Sequence, residues 1–404
     1  MTAITSIMRP SIEGKRVVLI GSLGYSLVNF RLDLMRKIVE LGHEVIAVAP
    51  EFDAETVATL SSHGIRTRTV PMERTGTRPV MDLRTIIALV RIFREEAPDL
   101  VLPYTMKPIV YGSLAARIAG VPECYPLFTG LGYLFAGDLD TRRRLLRSVS
   151  IALHRVGLRK VTAAFCYNDA ELKDIRHFRL IPSTVSLVKV PGSGIDTMRF
   201  LPEPIPEAAP RFLFVGRLLR SKGLDVLATA VRLLRTQGHD VTVDLLGPED
   251  SNPDAVDRAT LDAWTKEGLF RPLGAVRDVQ PVFAQSSVFV LPTKLREGVP
   301  RTILEAMACG RPVITTDAPG CGETITDGVS GWVVPQNDPE ALATAMLNFI
   351  KAPESIAEMG LAARAEVCRN NDVRRVNALL VKHMGLDARA LQEPSLRAGA
   401  EAAA

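Results

Sequence analysis

Aromatic residues make up only 5% of the 404-residue chain, too few for a surface on which the bases of single-stranded nucleic acid would stack. The net charge is small, +4 at pH 7, and leaves no basic footprint of a nucleic-acid binder. Cysteine is scarce. Cys124, Cys166, Cys309, Cys321 and Cys368 form no C-x-x-C pair and no Cys/His cluster with zinc spacing, so reduced, mostly buried thiols of a cytosolic protein are expected. No apolar run reaches the roughly 18 residues of a membrane-spanning helix. The opening MTAITSIMRPSIEGKR has no apolar core of a signal peptide.

What is present is the composition of a folded protein, 47% hydrophobic and 23% charged, in a chain long enough for two domains. Apolar runs alternate with helical stretches, the pattern of parallel sheets covered on both faces. Strands are expected at 17–20, 44–49, 65–70, 99–102, 124–128, 161–166 and 185–190. They are expected again at 211–216, 241–247, 287–292, 311–316 and 331–335. Between the two sets lies LPEPIPEAAP, with four prolines in ten residues, which neither a helix nor a central strand tolerates. The expected architecture is α/β: two Rossmann-like, doubly wound domains, 1–200 and 211–391, joined by a linker at 201–210 and facing each other across a cleft. An Ala- and Gly-rich tail at 392–404 is expected to be disordered. Ligands of such sheets bind at the carboxyl ends of strands, which places the chemistry in the cleft.

In the second domain a strand ending at Gly216 runs into RLLRSKG, so Arg217 and Lys222 sit at a strand-to-helix turn. Ser221 is a good helix cap. Two cations beside a helix start suit a diphosphate; a solvated basic loop is the plain alternative. The segment EGVPRTILEAMACG, from Glu297 to Gly310, follows. Pro300 suits a helix start, with Gly298 in the loop before it. Glu297 and Glu305 are eight positions apart, about 12 Å along a helix. That is too far for a glycosidase pair, whose carboxylates stand roughly 5 to 9 Å apart. The spacing suits two hydroxyl groups of one extended ligand. A carboxylate at Glu305, amid apolar neighbours, needs a partner.

These segments, with DAPGCGETITDGVSGWVV, resemble the second domain of retaining glycosyltransferases of family 4, which have the GT-B fold. The resemblance implies a nucleotide-sugar donor, UDP-linked, and no further cofactor. Arg217 and Lys222 would hold the diphosphate, Glu297 the transferred sugar and Glu305 the ribose. The amides of Thr302 and Ile303 would support the β-phosphate, and the loop from Gly274 to Val276 would lie against the uracil. Where close relatives carry arginine this chain has Gly322, which removes one expected contact.

In the first domain Gly21 and Gly24 follow the first strand without forming G-x-G-x-x-G, so a plain tight turn competes with a backbone approach to phosphate. The segments PYTMKPIVYGSLAARIAGVP and LFTGLGYLF resemble a bacterial subgroup that builds glycans on polyprenyl diphosphate lipids. Lys107, Thr129 and Gly130 would then line the acceptor side. Neither His63 nor His154 follows a relevant strand, so no catalytic histidine is named. Asp138 and Asp140 form a weak metal motif before a basic helix, and no metal site is expected. That helix, 141–160, carries Leu145, Val149, Ala152 and Val156 at helical spacing, with Arg143, Arg144, Arg147 and His154 opposite. It reads either as a surface helix on its own sheet or as a membrane-surface helix meeting anionic lipid.

The reading is therefore a metal-independent, retaining glycosyltransferase. It would move a hexose or N-acetylhexosamine from a UDP-sugar to a lipid-linked glycan acceptor in cell-surface polysaccharide synthesis. It would lie in the cytoplasm, peripheral on the inner face of the membrane, with no nucleic-acid partner. A non-catalytic nucleotide-sugar-binding subunit is the alternative, and an NAD oxidoreductase is disfavoured by the missing fingerprint.

Overall fold

The computed structural model describes residues 14–73, 78–132, 135, 141–207, 209–250 and 252–387. The Asp138 and Asp140 pair and the 392–404 tail lie outside them.

The first domain is built on β1 (Arg16–Ile20), β2 (Glu44–Ala49), β3 (Arg66–Thr69), β4 (Leu100–Pro103) and β5 (Glu123–Cys124), all parallel in the order β3-β2-β1-β4-β5. β1, β2 and β4 are almost entirely buried, as strands covered on both faces must be. Helices α1 (Gly24–Glu40) and α2 (Ala54–Ser62) pack on one face. On the other lie α3 (Pro79–Glu96), α4 (Met106–Ala119) and α5 (Thr141–Gly157). Leu127 bridges in parallel to Tyr104 and to Phe165, which stitches the parallel pair β6 (Ala163–Cys166) and β7 (Ser186–Lys189) to the sheet. Helix α6 (Asp169–His177) starts at the carboxyl end of β6, where Asn168 caps it by accepting from the Glu171 amide at 2.8 Å.

The second domain is a six-stranded parallel sheet in the order β10-β9-β8-β11-β12-β13. Its strands are β8 (Phe212–Val215), β9 (Val243–Leu246), β10 (Phe270–Gly274), β11 (Val288–Leu291), β12 (Val313–Thr316) and β13 (Gly331–Val334). Its helices include α7 (Leu224–Thr236), α8 (Arg258–Lys266), α9 (Gln280–Ala284), α10 (Arg301–Ala308), α11 (Pro339–Lys351) and α12 (Glu354–Asn370). Both sheets are doubly wound, as the alternation predicts. The proline-rich linker is pinned to this domain by the buried Arg311, which donates to the Glu203 carbonyl at 2.6 Å and to the Pro204 carbonyl at 3.1 Å.

Local readings differ in three places. Ser221 does not cap α7. It lies in a 3-10 turn, Arg220–Lys222, with its hydroxyl on Asp254, and the helix begins at Leu224 behind Gly223. Gly223 has φ +83, and a Cβ there would fall 1.9 Å from the Pro292 carbonyl oxygen, so only glycine fits. In α5, His154 is not on the outer, charged side. It is buried between Phe128 and Phe135, with Nδ1 2.7 Å from the Ser150 carbonyl oxygen, and the cost of desolvating a cation lowers its pKa to about 4. Leu145, Val149, Ala152, Leu153 and Val156 of the same helix face outward instead. Finally, the chain after α12 does not stay in the second domain. Helix α13 (Val373–His383) returns to the first, where Val376, Leu380, Val381 and Met384 join the core formed by α1, β1 and β2.

Candidate functional site

The carboxyl ends of β8, β9 and β10 meet in glycines. The Gly216 amide donates to the Leu246 carbonyl at 2.9 Å and the Gly247 amide to the Gly274 carbonyl at 2.8 Å. A Cβ on Gly247 would lie 1.8 Å from the Gly216 carbonyl oxygen, so the two loops touch backbone to backbone. Val276, next to Gly274, is half-exposed at 45%. Arg217 leaves this rim and pairs with Asp250 at 3.0 Å, its side chain about half exposed.

Lys222, only 15% exposed, reaches across to the loop after β11 and donates to the Glu297 carboxylate. The pair joins a cation suited to phosphate and a carboxylate suited to sugar hydroxyls at the mouth of the second domain. Glu297 is held by its own backbone as well. Its amide donates to the Pro319 carbonyl at 3.0 Å, and Gly320 packs so tightly that a Cβ would sit 2.3 Å from the Glu297 carbonyl oxygen. Beyond Pro300, α10 starts with the Ile303 amide already bonded to the Pro300 carbonyl at 3.1 Å. Ile303 is therefore engaged, and Thr302 in the first turn offers the better-placed amide. Glu305 is buried, as its apolar neighbours predict, and its partner is Arg301 one turn earlier at 3.1 Å. Burial raises its pKa and Arg301 opposes that rise.

The first domain closes on this loop. Asn168 Nδ2 donates to the carbonyls of Glu297 at 3.0 Å and Gly298 at 2.7 Å. Gly298 lies against Thr129 and Tyr167, with room for no side chain: a Cβ would be 2.8 Å from the Thr129 carbonyl oxygen. Gly130, with φ +126, faces the Gly298 amide. Arg296 pairs with Asp174 of α6, and Arg301 donates to the Asn29 carbonyl of α1 at 2.5 Å. The structure thus brings Lys222, Glu297, Gly298, Thr129 and Gly130 together, with Glu305 behind Arg301. Lys107 does not join them; it pairs with Asp82 of α3 at 3.0 Å. Gly21 and Gly24 stand at the end of β1. There a Cβ would meet the Tyr104 hydroxyl at 2.7 Å or the Glu51 carbonyl oxygen at 2.4 Å, so close packing alone accounts for both glycines. Near the replaced arginine, Glu323 accepts from the Asp169 amide at 3.3 Å.

Several residues with a part in this junction escape sequence reasoning. Asn168, Arg296 and Arg301 act across the domains. Arg31 is buried, stacked 4.9 Å over Tyr104 and bonded to the Tyr167 hydroxyl. Glu171 is buried behind Gly130 and accepts from the Tyr167 amide at 2.8 Å; desolvation pushes its pKa up to about 7. Among the described residues no three His, Cys, Asp or Glu side chains cluster as metal ligands. Of the membrane residues expected in α5, Arg143 and Arg144 are exposed and Arg147 stacks 5.6 Å over Phe178.

Two doubly wound domains facing each other across such a junction define the GT-B class. Residues 28–190 match the family described as Glycosyl transferase 4-like domain and residues 209–352 that described as Glycosyl transferases group 1. The chain belongs to these glycosyltransferases. It is 24% identical over 336 residues to the N,N'-diacetylbacillosaminyl-diphospho-undecaprenol alpha-1,3-N-acetylgalactosaminyltransferase of Campylobacter jejuni, covering 80% of this chain and 86% of that one. It is 25% identical over 312 residues to the Escherichia coli UDP-Gal:alpha-D-GlcNAc-diphosphoundecaprenol alpha-1,3-galactosyltransferase, covering 74% and 76%. Among solved structures, a sucrose-phosphate synthase of Thermosynechococcus elongatus superposes with a TM-score of 0.75 at 18% identity, over 91% of this chain and 98% of that one.

Proposed function

We propose that this glycosyltransferase moves a hexose or N-acetylhexosamine from a UDP-sugar, with retention of anomeric configuration, to a glycan carried on polyprenyl diphosphate in bacterial surface polysaccharide synthesis. The observation that carries the donor half is the Lys222–Glu297 pair at the mouth of the second sheet, set against Thr129 and Gly130 of the first. Lys222 neutralises the departing diphosphate and Arg217 assists on exchanging Asp250 for phosphate, so the leaving group is stabilised without a metal. Glu297 accepts from hydroxyls of the transferred sugar, Glu305 from the ribose, and Val276 lies against the base. Domain closure excludes water from the reacting bond.

The acceptor half rests on the relatives named above, both of whose names specify diphospho-undecaprenol acceptors, and on α5. No helix of the described residues is long and apolar enough to cross a membrane. The outward stripe of Leu145, Val149, Ala152 and Val156, beside Arg143 and Arg144, has the form of an interfacial helix. In this reading the protein sits on the cytoplasmic face of the membrane. A screen of UDP-sugars against short polyprenyl diphosphate glycans, run with a chelator present and read by product NMR, tests the whole assignment. Transfer with an unchanged anomeric configuration is expected. No transfer from any UDP-sugar, or transfer that stops on chelation, would overturn the corresponding part.

A further inference from the structure

The end of α5 farthest from the cleft opens on a surface groove of about 670 Å³, walled by Arg155, Arg159, Arg176 and Arg179 together with Ile181 and Pro182. Among the described residues no carboxylate pairs with these four arginines. Arg155 is braced by the Phe178 carbonyl at 2.9 Å and Arg176 by the Val185 carbonyl at 3.0 Å, both neutral acceptors. Arg159 and Arg179 have no side-chain bond among the described residues. Of the α6 carboxylates, Asp169 pairs with Lys189 at 2.8 Å and Asp174 with Arg296 of the second domain, so neither partners these arginines. Helix carboxyl termini attract cations, and α5 and α6 both end here. That attraction accounts for the two braced arginines and not for the two unbonded ones. Four guanidinium groups lining one hollow suit a multiply charged oxyanion.

The location identifies the occupant. Arg155 neighbours Val156, the last residue of the outward apolar stripe and 51% exposed. We propose that the groove binds the phosphate of an acidic lipid headgroup, so that apolar insertion along α5 and phosphate capture at its carboxyl end fix the protein on the membrane in one orientation. This rests on the membrane reading of α5 and adds a defined site to it. Arg155 and Arg176 organise the walls, whereas Arg159 and Arg179 supply the exposed charge.

The test compares three forms of the full chain by flotation with vesicles of phosphatidylcholine alone and of phosphatidylcholine with phosphatidylglycerol. The Arg159→Gln/Arg179→Gln protein should bind the anionic vesicles about thirtyfold less, the equivalent of roughly 1 kcal/mol per cation. It should match the unaltered protein on neutral ones. Val149→Ser/Val156→Ser should weaken binding to both vesicle types. If the valine variant loses binding and the arginine variant does not, the groove proposal falls and the membrane reading stands. If neither changes, both fall. Pyrophosphate titration separates the sources of phosphate: pyrophosphate binding that the arginine variant loses, with flotation unaltered, makes the groove a soluble-anion site and overturns the lipid assignment.

Discussion

Lys222 and Glu297 lie 75 positions apart, yet each is the other's partner, so neither charge is stranded while the donor is absent. In the proposed mechanism Lys222→Ala removes a charge-assisted bond to the diphosphate worth roughly 1.5–3 kcal/mol. The expected fall in kcat/KM is about ten- to a hundredfold, and a near-normal value in steady-state assays would contradict the assignment. Glu171 makes a different prediction. Its carboxyl ionises near 4.5 in the unfolded chain but only at about 7 when folded, because burial opposes the charge. Between those values the folded state holds the extra proton, so stability falls as pH rises and levels off above 7. The window is worth about 3 kcal/mol. Thermal unfolding at a series of pH values should show the unaltered protein losing ground to Glu171→Gln across that range. Parallel curves would show that Glu171 is not the group responsible.

At the scale of elements, legibility in the sequence follows from what each pattern encodes. β1, β2, β4, β8 and β11 read as apolar runs because both faces of a parallel sheet are covered, and they and β9, which is interrupted by Asp244, fall within a residue or two of their expected ends. β10 escapes because its exposed residues leave only Phe270 buried, which removes the apolar run. Amphipathic spacing reveals a helix and a stripe without saying which side is inward. In α5 the apolar stripe faces out while His154 fills the core. In α13 the stripe is inward, but against the other domain, and no local pattern encodes that destination. The site divides in the same way. Lys222, Glu297 and Glu305 are legible from spacing and resemblance. Asn168, Arg296 and Arg301 are not, because their partners lie in the other domain, 129, 122 and 272 positions away. The docking of α13 is testable by Leu380→Ala. Emptying a fully buried leucine site costs about 2–5 kcal/mol. Hydrogen exchange should show the loss in α1 and β2 rather than in the helices of the second domain. Uniform or absent loss would mean that α13 does not stabilise the first domain.

For the whole molecule the contact that matters is backbone against backbone at Gly298. Gly298→Ala places a methyl group 2.8 Å from the Thr129 carbonyl oxygen and 2.7 Å from the Tyr167 ring. The domains must then part by a fraction of an ångström. Misplacement on that scale lowers turnover by on the order of ten- to a hundredfold, with the unfolding midpoint little altered because no core is touched. Turnover unchanged from the parent protein would mean that the two domains need not meet here.

The chain passes between the domains twice, near Ile195 and near Asp372, and the crossings are bonded to each other. The Ile195 amide donates to the Asn371 carbonyl and the Val373 amide to the Ile195 carbonyl, both at 2.9 Å. A single tether behaves as a swivel, free in three rotations. Two tethers fastened side by side behave as the pin of a door. Rotation about an axis through this seam would leave both bonds intact, whereas twisting or sliding would break them. Any parting of the domains about such a pin would widen most on the side away from it, giving a wedge-shaped opening that shuts along a single arc.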